Sequence, residues 1–115
     1  MNDNLLILGG TGFVGRSLCE KLVERSGGGG AQVVVPSRRP SSAKHLQLMP
    51  TVRVVEADVH DEAQLTALLH GRDAVINLVA ILHGSEAAFE RAHVALPRTL
   101  ARACASAGVR RVVHV

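Results

Sequence analysis

The sequence predicts an α/β domain built as a three-layer, doubly wound parallel sheet with strand order 3-2-1-4-5. Three observations carry that reading. The apolar, strand-like run Leu5-Leu6-Ile7-Leu8 ends in a glycine-rich turn, with glycines at 9, 12 and 15, and leads straight into a helical pattern. Strand-like and helix-like segments then alternate through the rest of the chain, the signature of βαβ units. Val, Leu and Ala carry the apolar content, with two Phe and no Trp or Tyr, a composition suited to parallel strands covered on both faces. Right-handed crossovers complete the topology.

The first strand is expected over residues 4–8 and its helix over 13–25, with Val14, Leu18 and Leu22 as the buried stripe. Ser26 and four consecutive glycines end that helix. Gln32-Val33-Val34-Val35 reads as a second strand stopped by Pro36, and Ser41-Ser42 as the cap of a short helix ending before Pro50. Val52 to Glu56 is the third strand. Asp61 has the right chemistry to cap a helix from Glu62 to His70, closed by Gly71. Asp73 to Val79 is the fourth strand. A long helix from Glu86 to Ser106 follows, with Phe89, Leu96, Leu100 and Ala103 on one face and Pro97 as a kink. Gly108 ends it, and Arg111 to Val115 begins a fifth strand.

A chain of 115 residues has the length of one domain with a single core, and it carries no internal repeat. The formal net charge of +3 is small, and aromatic side chains to stack bases are scarce, which argues against a nucleic-acid partner. No apolar run reaches membrane-spanning length, and Met1-Asn2-Asp3-Asn4 lacks the positive start of a signal peptide, so a cytoplasmic location is expected. Cys19 and Cys104 fall in helical patterns and read as buried, reduced thiols. The six histidines have no metal-ligand spacing; His60, His70 and His83 read as loop or helix-end residues, and no metal is assigned.

A strand that runs through a glycine turn into a helix presents free backbone N–H groups and the positive end of a helix dipole to a pyrophosphate. Gly9 permits the tight turn, Gly12 lets phosphate approach the backbone, and Gly15 lets the helix pack on the strand. The backbone N–H groups of Thr11, Gly12, Phe13 and Val14 would hold the pyrophosphate, with the Thr11 hydroxyl adding a bond. The competing reading is a glycine-rich turn with no ligand; the surrounding βαβ pattern weighs against it. The end of the second strand selects the dinucleotide. An NAD site carries an Asp or Glu there for the ribose 2′-OH, whereas this chain has Pro36-Ser37-Arg38-Arg39. A guanidinium fork matches the oxygens of a 2′-phosphate, so NADP(H) is expected over NAD, with Arg38 the principal contact, Ser37 a hydrogen-bond donor and Arg39 stacked on adenine. The alternative is a pair of solvated loop arginines.

The segments Gly9-Gly10-Thr11-Gly12-Phe13-Val14-Gly15, Ala57-Asp58-Val59 and Asn77-Leu78-Val79-Ala80 together resemble the short-chain dehydrogenase/reductase superfamily, in its extended and atypical branches of nucleotide-sugar epimerases and dehydratases. Within that branch, Phe89-Glu90-Arg91-Ala92-His93-Val94 and Gly108 to Val115 make the chain look like bacterial relatives of the NADPH-binding accessory subunit of respiratory complex I. The resemblance implies a Rossmann fold. It also implies that Asp58 accepts from the adenine amino group, that the Val59 N–H donates to the ring, and that Leu78, Val79 and Ala80 run beneath the cofactor ribose. Leu8 departs from the Thr that the branch often places before the first glycine.

A larger departure concerns chemistry. The resembled enzymes use a Ser after strand five and a Tyr-x-x-x-Lys on the next helix, but this chain has no tyrosine and its only lysines are Lys21 and Lys44. The 115 residues are therefore expected to be the N-terminal part of a longer family fold, inactive alone, with no catalytic residue assigned; His83 and His93 read as structural. Two functions stand side by side. One is the NADP(H)-binding half of an epimerase, dehydratase or reductase acting on an unidentified small molecule. The other is a non-catalytic NADPH-binding structural or redox-sensing subunit, peripherally associated with a membrane respiratory complex. Strand five as an apolar edge also implies self-association of the chain.

Overall fold

A computed structural model of the chain describes residues 3–9, 13–26, 31–39, 46, 49, 51–79 and 85–114. In order these form β1 (Asp3–Leu8), α1 (Phe13–Ser26), β2 (Ala31–Ser37), β3 (Val52–Glu56), α2 (Glu62–Leu69), β4 (Ala74–Asn77), α3 (Glu86–Glu90), a π-helical segment (Arg91–Ala95), α4 (Leu96–Ala107) and β5 (Arg111–His114). The strands make one parallel sheet in the order β3-β2-β1-β4-β5, the expected topology.

β1 lies at the centre, with Leu5 registered between Val33 of β2 and Ala74 of β4. Alternation along it feeds two cores. Leu6 and Leu8 join Val34 and Val75 under Leu65 and Leu69 of α2 and Leu96, Leu100, Ala103 and Cys104 of α4. Ile7 joins Val33, Val35, Val52 and Leu46 under Cys19 of α1. Both faces of the central strands are thus buried, which is why their sequences are continuous apolar runs. Asp61 caps α2 by accepting from the N–H groups of Ala63 (3.0 Å) and Gln64 (3.2 Å), as its position predicted. Across the outer surface Glu62 of α2 meets Arg102 of α4 at 2.9 Å.

Four expectations need correction. Of the stripe expected on α1, Leu18 and Leu22 pack half-buried against the second core, but Val14 is 59% exposed and the fully buried positions are Gly15 and Cys19. Gly15 and Cys19, four residues apart, lie on one face of the helix, and that face is turned to the sheet. Pro36 does not stop β2, which continues to Ser37 opposite Glu56. Val33 donates to Thr51 on the β3 side and the Ser37 carbonyl accepts from Ala57 on that side, so alternation turns the Pro36 nitrogen toward β1. The β1–β2 register ends at Leu6↔Val34, where the strand meets a ring nitrogen with no proton to donate to β1, while pairing to β3 continues.

The helix expected over 86–106 is two α-helices joined through the π segment, and Phe89 is 54% exposed rather than on the core face. Pro97, at the start of α4, has no N–H to offer, and its ring crowds the carbonyl four residues back, that of His93 in the π segment. The wider turn accommodates the ring, and the Leu96 N–H donates to the Arg91 carbonyl five residues back. The extra residue rotates α3 by roughly 100° relative to α4 and carries Phe89 off the buried face. Phe89 instead faces the His93 ring at 4.3 Å. β4 is also shorter than expected, ending at Asn77.

Ser41, Ser42, the four-glycine run and His83 lie outside the described residues. Among the described residues no helix is long and apolar enough to cross a membrane, and no cluster of His, Cys, Asp or Glu could hold a metal ion. Burial pushes the Cys19 thiol up to about 11, with the Glu20 carboxylate adding to the effect, and burial raises Cys104 as well. Both thiols are therefore protonated at neutral pH and shielded from reagents. In the native protein neither should react with Ellman's reagent at pH 8 before unfolding; a fast two-thiol burst would contradict this packing.

Candidate functional site

The sheet reverses its winding between β1 and β4, since β2 and β3 lie to one side of β1 and β4 and β5 to the other. At such a switch point the crossovers on either side diverge and leave a crevice beyond the carboxyl ends of the strands. An open cleft of about 750 Å³ lies there, with Gly9, Pro36, Ser37, Arg38, Arg39, Ala57, Asp58, Val59, His60 and Val79 among its lining residues. These come from the ends of β1, β2, β3 and β4, four segments distant in sequence.

Each edge is held by a specific bond. At the β1–β4 junction the Leu78 N–H donates to the Leu8 carbonyl at 2.8 Å. Gly9 then turns with φ +79°, and a Cβ there would sit 2.9 Å from both the Leu78 carbonyl carbon and the Val79 nitrogen. Only glycine fits, for two independent reasons: the left-handed backbone and the contact with a neighbouring peptide. Asn77, fully buried, fixes the other side of this junction. Its Oδ1 accepts from the Val79 N–H at 3.1 Å, and its Nδ2 lies 3.2 Å from His114 Nδ1 on β5.

At the end of β2, the Ser37 hydroxyl accepts from the Arg39 N–H at 3.1 Å, bending the chain so that Arg38 and Arg39 line the cleft. A hydroxyl that accepts still has its proton to donate. At the end of β3, the Asp58 carboxylate accepts from the His60 N–H at 2.9 Å, and the Asp58 N–H donates to Gln64 Oε1 at 3.0 Å. The Gln64 amide also donates to the Asp61 carboxylate at 3.2 Å, tying the strand end to the α2 cap. His60 is half-buried in this turn. Burial holds its pKa below the ordinary value; the Arg91 and Arg38 charges lower it further, against an opposing pull from Asp58.

Of the residues singled out in the sequence, Gly9, Ser37, Arg38, Arg39, Asp58, Val59 and Val79 meet at one cleft. Leu78 supplies backbone to the Gly9 contact, and Gly15 is buried where α1 packs on the sheet. Phe13 and Val14 begin α1, with Val14 exposed. Thr11, Gly12 and Ala80 lie outside the described residues. Sequence reasoning missed the Asn77 side chain as the clamp of the β4 turn and His60 as a lining residue, and took Pro36 and Ala57 only as members of their segments, with no role in the cleft. A polar side chain ending an otherwise apolar strand was the available signal for Asn77; nothing in local spacing marked the others.

The fold and cleft define a doubly wound α/β domain with an open cleft at its switch point. A family model described as the NAD dependent epimerase/dehydratase family matches residues 5–115, and the chain belongs to that family. It is 32% identical over 114 residues to the mitochondrial NADH dehydrogenase [ubiquinone] 1 alpha subcomplex subunit 9 of Rattus norvegicus, a match covering 95% of this chain and 29% of that protein. It is similar in structure to DesIV, a dTDP-glucose 4,6-dehydratase from Streptomyces venezuelae solved with NAD bound (TM-score 0.82, 28% identity, 96% of this chain and 38% of that one). It shares its fold with Pen from Bacillus thuringiensis (TM-score 0.84, 21% identity, 97% and 38%). The chain thus spans under a third of the length of the curated relative and under two-fifths of these structures.

Two left-handed glycines separate conformation from contact. Gly108, which ends α4 at φ +79°, has open space where a Cβ would go. Gly108→Ala should lower unfolding stability by roughly 1 kcal/mol, the backbone cost alone. Gly9→Ala should cost clearly more, because the strand ends must also part. Equal losses in denaturant titrations would show that the β1–β4 contact is not tight.

Proposed function

We propose that this chain is the NADP(H)-binding domain of an epimerase/dehydratase-family protein. One observation carries the choice of nucleotide. The end of β2 supplies Ser37, Arg38 and Arg39 to the cleft and no carboxylate, in the place where a ribose 2′-OH would need one. The dinucleotide would lie across the carboxyl edge of the sheet. Its pyrophosphate would take backbone N–H groups of Thr11, Gly12, Phe13 and Val14 at the start of α1, where the helix dipole favours negative charge. Gly9 and Gly15 would let it approach. Asp58 and Val59 would meet the adenine edge, Leu78, Val79 and Ala80 would line the ribose, and Arg39 would cover the ring. Arg38 and the Ser37 hydroxyl would hold the 2′-phosphate through charged hydrogen bonds.

The nicotinamide would supply any hydride chemistry, with the protein fixing its orientation. No side chain at this cleft is assigned as a catalytic acid or base. The chain covers only part of its relatives' length, and a catalytic Tyr–Lys pair and the substrate site would belong to residues beyond these 115. The likeness to the NADH dehydrogenase subunit supports a second reading: an NADPH-binding structural or redox-sensing subunit of a respiratory assembly. A cytoplasmic location agrees with the first reading.

The exposed β5 edge, where Val112 and Val113 are 45% and 51% exposed, favours self-association of the 115-residue chain. Light scattering should then give a mass that rises with concentration; a monomer at every concentration would remove this expectation. For the nucleotide, Arg38→Ala should weaken NADPH by roughly 1.5–3 kcal/mol, the range for hydrogen bonds to a charged group, and leave NADH nearly unchanged. Unaltered NADPH affinity would overturn the assignment of Arg38 to the 2′-phosphate.

A further inference from the structure

A second guanidinium faces Arg38 from the helix side of the cleft. The cleft continues into a hollow of about 520 Å³ between Arg38, His60 and Val79 on the sheet side and Ala88, Arg91 and Ala92 on the other. Apart from Arg91, the helical wall is built from methyl groups, which leave the hollow open. Arg38 and Arg91 are both exposed, and neither forms an ion pair among the described residues. The nearby Asp58 carboxylate is turned onto the His60 N–H. Two cations therefore share one hollow, an arrangement that gathers positive potential and favours an anion.

The π segment explains how Arg91 comes to line this hollow. In an uninterrupted α-helix, position 91 would point roughly 140° away from Leu96, five residues on. Leu96 is buried against the sheet, so that geometry would turn Arg91 toward the outer surface. The bond from the Leu96 N–H to the Arg91 carbonyl instead closes a five-residue turn and brings the two positions nearer one line. The same extra residue that expels Phe89 from the core swings Arg91 toward the strand ends. His60, which lines the same hollow, has its pKa lowered by burial and then by both guanidinium charges, against Asp58, in keeping with that placement.

We infer that Arg91 is a second specificity-determining residue, closing on the ligand's 2′-phosphate from the helix side while Arg38 holds it from the end of β2. The inference rests on the NADP(H) reading above and deepens it. A phosphate monoester has three terminal oxygens and close to two negative charges, enough to accept from two guanidinium forks arriving from different directions. A neutral 2′-hydroxyl offers no such charge, so a ligand lacking the phosphate leaves the paired cations uncompensated.

The test uses adenosine 2′,5′-bisphosphate and 5′-AMP, which differ only in the 2′-phosphate, titrated by calorimetry into the wild-type protein, Arg91→Gln, Arg91→Lys and Arg38→Ala. The wild type should prefer the bisphosphate. Arg91→Gln should weaken the bisphosphate roughly tenfold or more, the effect of one charged hydrogen bond, and 5′-AMP by less than about twofold. Arg91→Lys should restore part of the loss. Retained 5′-AMP binding reports that the variant is folded. Full selectivity in Arg91→Gln, together with its loss in Arg38→Ala, would overturn the role of Arg91 and leave the NADP(H) reading standing. A wild-type protein that binds both probes equally would overturn both.

Discussion

The contact between Gly9 and the Leu78–Val79 peptide is the constraint on which the rest of the molecule depends. It closes the junction between β1 and β4, where the sheet changes its direction of winding, with 2.9 Å between a would-be Cβ and two backbone atoms. A close junction draws the strand ends into one rim. The Leu78-to-Leu8 hydrogen bond and the buried Asn77 amide keep that rim from opening. Buried polar groups are costly unless satisfied, and Asn77 meets that demand by clamping its own turn and reaching β5. Packing and site geometry are thus one problem here: the residues that let β1 and β4 meet also set the floor of the cleft.

Electrostatics acts on top of that frame. The cleft gathers arginines from β2 and from the π segment, while Asp58, the one carboxylate among its described lining residues, accepts from the N–H of His60 in its own turn. Burial lowers the proton affinity of His60, and the Arg91 and Arg38 charges add to that effect. The proposed preference for negative charge would rest on backbone N–H groups at one end, where α1 begins, and on side-chain charge at the other.

Much of this was legible in the sequence because the signals were local and periodic. The Leu5–Leu8 run, the glycine spacing and Asp61 as a cap each act within a few residues and placed their elements, and the alternation of elements led to the correct strand order. Ser37, Arg38, Asp58 and Val79 were legible as neighbours because that topology brings all strand ends to one edge. What failed depended on neighbours distant in sequence or on unusual backbone. Val14 has the right period with Leu18 and Leu22, but the face of α1 that turns to the sheet is centred on Gly15 and Cys19 and leaves Val14 exposed. Pro36 looked like a terminator because its orientation between β1 and β3 cannot be read from one strand. Pro97 was recognised as a perturbation, yet the π turn that absorbs it, and so the opposite fates of Phe89 and Arg91, follows from helix closure rather than from composition.

The most direct test of the central claim is a side-by-side titration of the protein with NADPH and NADH, following nicotinamide fluorescence. A cleft built from the β1–β4 junction and the Arg38 edge predicts saturable NADPH binding with NADH markedly weaker. Equal affinities would keep the fold and contradict the 2′-phosphate assignment, and failure to bind either nucleotide would contradict the cleft as a dinucleotide site.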